Sequence, residues 1–264
     1  MTPPLPAIAE ADARGETAEL FADIRSVVGV RVVNLVWRHL ATFDGALPMT
    51  WAAVRPLYTE GIVDAETTRF RGSMVVPRLT PLAGEEPPGL DAVLASYDHS
   101  NPMNLFALGA LLAALRGETS TAGDPLRGAR IPAPDLDLPR LLSEAEVAPQ
   151  TWTCVLRLNR FGDQPQPLIL ASMYRHLAHW PHFLGRVEAA LGPVQNDGSL
   201  PRAIDTNLAA AKSRARVIAS AIVMPATASA LRPAIEPAIA MFVDHAIGKM
   251  TTIGRALREA RATV

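Results

Sequence analysis

The chain has 264 residues, 49% of them hydrophobic and 19% charged, with a formal net charge of −1. That is enough apolar material for a sizeable core in one large domain or two small ones, and it excludes a disordered chain. The near-neutral balance excludes the strongly basic footprint of a nucleic-acid binder, and the single cysteine excludes a disulfide framework, a cysteine-based zinc cluster and a CxxC redox pair.

The opening stretch, MTPPLPAIAEADARG, has no basic region followed by an apolar run, so no secretory leader is expected and a cytoplasmic location is. The first helix is expected over residues 16–28, where Ala18, Phe21, Ile24 and Val28 fall on one side at three-to-four spacing. A second is expected from Val32 to Phe43. RVVNLVW suits a strand by composition, but its continuation into RHLA favours a helix. Pro48 suits the first turn of the next helix, and Asp64 is a candidate N-cap for the one after. Ser100 or Asn101, with Pro102, is expected to open the run NPMNLFALGALLAALRG, and Gly117 to close it.

Residues 117–146 contain ETSTAGDP and IPAPDLDLP. Proline fixes φ and removes a donor, so this linker is expected to be extended and to pack along the surface. Beyond it, helices are expected over 149–159, 168–180, 182–191, 201–224 and 233–261. Cys154 lies on the apolar face of WTCVLRL, where a buried, inert thiol is expected. The longest uncharged apolar run, Val217 to Leu231, is interrupted by Pro225 and too short to span a membrane, so no membrane partner is expected.

One pattern organises these elements. YRHLAHW, residues 174–180, nearly copies WRHLATF, residues 37–43, and the same offset carries Leu47 onto Leu184, Pro56 onto Pro193 and Gly61 onto Gly198. Later landmarks keep their order: SMVVP and AIVMP, then YDH and VDH. Such internal repetition predicts an all-α fold of two tandem pseudo-twofold helical repeats, residues 1–116 and 147–264, joined by the linker at 117–146.

The ordered motifs carry a resemblance. Glu10, Ala11, Gly15, Asp23, Ile24 and Arg25 are followed by V-x-N-L-x-W-R-x-L-A, then by Tyr97, Asn101, Pro102, Asn104 and Leu105. A second S-x-Y-R-x-L-A-x-W-P runs from Ser172 to Pro181. This order resembles the group I 2-haloacid dehalogenases, a duplicated all-helical fold related to the alkylhydroperoxidase-D-like proteins. The resemblance implies an aspartate of the second repeat that activates water to displace halide from C2 of a 2-halocarboxylic acid. It also implies an asparagine of the first repeat that holds the water, and a pocket between the repeats lined by the x-x-W-R-x-L-A helix of each. Leu35 and Val36 are the leading positions of that helix in the first copy.

The aspartate falls on Met173, and a thioether cannot take a proton from water. No Asp or Glu lies between Gln164 and Glu188, so a slip of register does not restore it. The resemblance therefore implies a mostly apolar small-acid pocket with dehalogenation lost or altered, or an active hydrolase of 2-halocarboxylic or related small acids using a displaced base. A purely interacting helical protein, without a cavity, is a third reading. The expected ligand is a small carboxylic acid or apolar molecule; a homodimer is open, and no cofactor or metal is expected.

Asn104 and Asn101 are the candidates for the asparagine, although Asn101 before Pro102 also suits a helix cap. Ser172 suits either a ligand or a back-bond within its helix, and Tyr97 either the pocket or a wet surface tip. His39 and His176 are expected to be structural, and Arg38 and Arg175 to be ion-pair partners, with Asp23 serving the first. Asp98–His99 and Asp244–His245 are helical neighbours that point about 100° apart, so neither pair is expected to act as a dyad. His176, His179 and His182 have a loosely ligand-like spacing that Pro181 interrupts.

Overall fold

The computed structural model describes residues 5–84, 87–132, 137–162 and 169–262. Among them the fold is all-α. The helices are α1 (Gly15–Val28), α2 (Leu35–Leu40), α3 (Ala46–Thr59), α4 (Ile62–Arg71) and α5 (Leu90–Arg116), then α6 (Pro149–Asn159), α7 (Ser172–Leu177), α8 (Pro181–Asn196), α9 (Ser199–Ile218), α10 (Ala228–Met241) and α11 (Gly248–Ala262). A π-helical segment, Phe242–Ile247, joins the last two. No helix among the described residues is long and apolar enough to cross a membrane.

The 27-residue α5 is the axial element. From His99 to Ala113 it is buried without a break, as expected of a helix apolar on every side. The expectation that Ser100 or Asn101 opens a helix at Pro102 is corrected: Pro102 lies inside α5, whose N-cap is Gly89. Proline at this position deprives the carbonyl four residues back of its helical donor. That carbonyl belongs to Asp98, and Arg71 Nη2 donates to it instead.

Other boundaries move for similar reasons. The helix expected from Val32 to Phe43 is confined to α2, because side chains hold the preceding residues extended: Val33 donates its N–H to Glu10 Oε1 at 2.8 Å and its carbonyl accepts from Arg38 Nε at 3.1 Å. Asp64 is not an N-cap. Gly61 caps α4 with φ 70°, while Asp64, 1% exposed, accepts the Ile131 N–H at 2.8 Å. A Cβ at Gly61 would also collide with the Gly128 carbonyl, so the left-handed turn and the close approach of the linker both require glycine. The helix expected over 168–180 begins at Ser172, and residue 168 lies outside the described residues. The helix over 201–224 ends at Ile218 and passes through a 3₁₀ turn, Ala219–Ala221. That over 233–261 starts at Ala228 and is divided by the π-helical segment.

The described linker residues contain no α-helix up to Pro149, only a 3₁₀ turn at Glu144–Glu146. They are tied to the surface: Leu126 N–H reaches Glu66 Oε1 at 2.8 Å, and Arg214 donates to the Asp124 carbonyl at 2.7 Å. Glu66, 1% exposed, is itself bidentate to Arg214 at 2.6 and 2.7 Å, which joins α4 to α9.

Two apolar cores form, and each takes a segment from the other half of the chain. Leu79, Leu82, Leu90 and Leu94 pack with α6, α7 and α8; Ile235, Ile239, Phe242 and Val243 pack with α1, α2 and α3. The two RHLA helices occupy residues 35–40 and 172–177, an offset of 137, and α4 and α9 each follow a left-handed glycine, Gly61 and Gly198.

Candidate functional site

A chamber of about 60 Å³ lies between α2, α5, α7 and the π-helical segment. One water needs about 10–15 Å³ on this measure, so the chamber takes a molecule of roughly four to six heavy atoms. Its wall contains all seven residues singled out in the sequence: Leu35 and Val36 at the start of α2, Tyr97, Asn101 and Asn104 from α5, and Ser172 and Met173 at the start of α7. Met173 is 1% exposed. Phe242, Ala246, Ile247 and Met250 close the chamber from the C-terminal part of the chain.

Asn104 is locked. Its Oδ1 accepts Trp37 Nε1 at 3.1 Å and the Tyr58 hydroxyl at 2.9 Å, and its Nδ2 donates to Asn34 Oδ1 at 3.1 Å. Asn34 passes the chain on to Ser100 Oγ at 3.2 Å. Trp37 meets Trp51 edge-on with centroids 5.4 Å apart, so aromatic packing fixes the donors that fix the amide. On the opposite wall, Asn159 orients residues 169–171 by donating to the Ile169 carbonyl at 3.0 Å and accepting the Ala171 N–H at 2.9 Å. Lys249 in turn donates to the Asn159 carbonyl at 2.6 Å.

The Tyr97 hydroxyl does not end in solvent; it stands 2.9 Å from His176 Nδ1. Burial raises the Tyr97 pKa far above its ordinary value, against the opposing pull of Arg38 and Arg175. Burial also pulls His176, fully enclosed, down to about 4, with His179 adding to the shift. The imidazole is therefore neutral at pH 7.

Several sequence expectations are settled by contacts. Asp23 pairs with Arg55 at 2.7 Å and accepts Trp51 Nε1 at 2.7 Å, so it is not the partner of Arg38. Arg38 and Arg175 instead give their Nε–H groups to the carbonyls of Val33 at 3.1 Å and Leu142 at 2.6 Å. His39 Nδ1 meets the Pro6 carbonyl at 2.7 Å. His99 is buried against the Val28 carbonyl at 3.0 Å, whereas Asp98 faces Arg71 at 3.8 Å and Arg255 at 4.0 Å, so the two do not form a dyad. Asp244 pairs with Lys212 at 2.7 Å. His179 Nε2 meets the Arg140 carbonyl at 2.9 Å. Cys154 is buried, and burial first and Glu188 second raise its thiol to about 11.

Two parts of the wall were not picked out in the sequence. Asn34 was visible inside the V-x-N-L motif but carried no sign of contact with Asn104. Phe242, Ala246 and Ile247 belong to a π-helical segment, a form common at functional sites, and the sequence there reads as ordinary helix.

No family profile and no curated protein sequence matches the chain. Solved structures do. A D-2-haloacid dehalogenase mutant in complex with D-2-CPA and a D-2-haloacid dehalogenase with L-LA each share 18% identity with it, over 97% of this chain and 96% of theirs, with a TM-score of 0.77. A further D-2-halacid dehalogenase mutant gives 17% and 0.76 over the same shares. The likeness is one of fold: the chain is haloacid dehalogenase-like in architecture along nearly its whole length.

Proposed function

We propose that the protein is a small-molecule-binding relative of the group I 2-haloacid dehalogenases, within the alkylhydroperoxidase-D-like helical proteins, that keeps the chamber and lacks the group that would activate water. The duplicated motifs, their common offset and the shared fold support the relationship. One observation carries the functional part: among the described residues no Asp, Glu, His, Lys or Cys borders the chamber, and Met173 occupies the place the resemblance gives to the aspartate. Tyr97, the ionisable group on the wall, holds its proton far above neutral pH. None of the described wall residues can deprotonate water at pH 7.

The test is halide release from both enantiomers of 2-chloropropionate. The proposal expects release at the uncatalysed background. A second reading, hydrolysis by a displaced base, draws on the Tyr97–His176 contact at 2.9 Å, since a neutral imidazole behind the wall can accept a proton through the phenol. Its conjugate acid, at about 4, makes it a weak base. Release that disappears in His176→Gln would establish that reading in place of the first.

A further inference from the structure

One buried side-chain amide on the chamber wall has no hydrogen-bond partner among the described residues. Asn101 is 7% exposed and stands one turn before Asn104 on α5; its Nδ2 is buried without a hydrogen bond among the described residues. The amides and phenol around it are committed: Asn104 to Trp37, Tyr58 and Asn34, Asn34 to Ser100, and Tyr97 to His176. A buried amide N–H is costly to leave unmade, and the terminal torsion of asparagine is soft, so a small turn of the amide presents it to a chamber occupant that accepts from it and recovers free energy.

The charge of the wall limits what that occupant is. No Asp, Glu, Lys, Arg or His among the described residues lines the chamber. A carboxylate entering it would shed water without gaining an ion-pair partner on the wall, which is costly. A carboxamide carries no such charge. It also matches Asn101 on both sides, since the asparagine side chain offers one donor nitrogen and one acceptor oxygen, and a carboxamide offers the complementary pair.

Resting on the reading of the chamber as a base-free binding site, we propose that it takes a small neutral carboxamide of four to six heavy atoms, anchored on Asn101. The Asn101 Nδ2–H donates to the ligand carbonyl, and the ligand N–H donates to Asn101 Oδ1. The competing anchor is Arg38. It lies behind the wall with its Nε on the Val33 carbonyl, and its Nη2 is buried without a partner among the described residues. A ligand held by Arg38 would be an acid.

Propionamide and propionate are nearly isosteric and separate the two. Ligand-observed NMR titration of the full chain at pH 7 and constant ionic strength is expected to show saturable propionamide binding at least tenfold tighter than propionate. Asn101→Leu is expected to weaken propionamide at least tenfold with an unchanged circular dichroism spectrum. Propionate binding as tightly as propionamide, and lost in Arg38→Met, overturns the proposal; so does propionamide binding indifferent to Asn101→Leu, or no saturable binding of either. Should Asn101→Leu not fold, the wild-type comparison still decides. Halide release from 2-chloropropionamide by the natural chain would overturn the base-free reading alone, since the amide preference is read independently of it.

Discussion

Asn104 does its work through the groups that depend on it. Truncating it to leucine leaves the Trp37 indole, the Tyr58 hydroxyl and the Asn34 amide oxygen without partners in a buried site. At about 1–3 kcal/mol per orphaned group, partly relieved by water in the adjacent chamber, Asn104→Leu is expected to cost about 3–5 kcal/mol in urea unfolding. A loss under about 1 kcal/mol would show that the network is idle. His176 gives a pH signature. Its folded pKa is about 4 against 6.5 in the unfolded chain, so the unfolded state binds the proton more readily. The contribution is present above pH 6.5 and is lost as pH falls toward 4, by about 3 kcal/mol in all. Subtracting the urea profile of His176→Gln from that of the natural chain between pH 7.5 and 4 isolates it; parallel profiles would contradict it. The sequence marked Asn104 as a buried amide in need of partners and His176 as structural. It could not say which partners, because Trp37, Tyr58 and Asn34 lie 46 to 70 residues away.

Among the elements, α5 departs most from local expectation. The residue before a proline is pushed out of the helical region, which argues for a boundary at Asn101. Tertiary packing overrides that preference: the helix is enclosed from His99 to Ala113, and Arg71 on α4 takes up the carbonyl that Pro102 releases. Arg71→Leu is therefore expected to destabilise by about 1–3 kcal/mol through the unpaired Asp98 carbonyl. In a Pro102→Ala background a backbone N–H returns to that carbonyl, and the same substitution should cost at least about 0.5 kcal/mol less in a double-mutant cycle. Strict additivity would refute the compensation. The short RHLA helices were legible from their repetition, and α6 from its apolar spacing and Pro149. The extended residues before α2 were not, because Glu10 and Arg38 hold them from outside the segment.

At the scale of the whole molecule, the all-α class followed from periodicity and from the near-copy of one heptapeptide. The residues of the chamber wall on α2, α5 and α7 followed from the order of the motifs. The exchange of segments between the two cores did not follow, nor did the closure of the chamber by Phe242–Ile247, since both are contacts between regions whose local patterns are ordinary. What remains is a pocket with fixed amides on one side, apolar groups around it and sulfur at the position where the resemblance places a carboxylate. Chloride release from each enantiomer of 2-chloropropionate, followed by ion chromatography for the natural chain and Met173→Asp in parallel, tests this most directly. The account predicts background release by the natural chain and release above background by Met173→Asp; catalysed release by the natural chain that persists in Met173→Ala would contradict it.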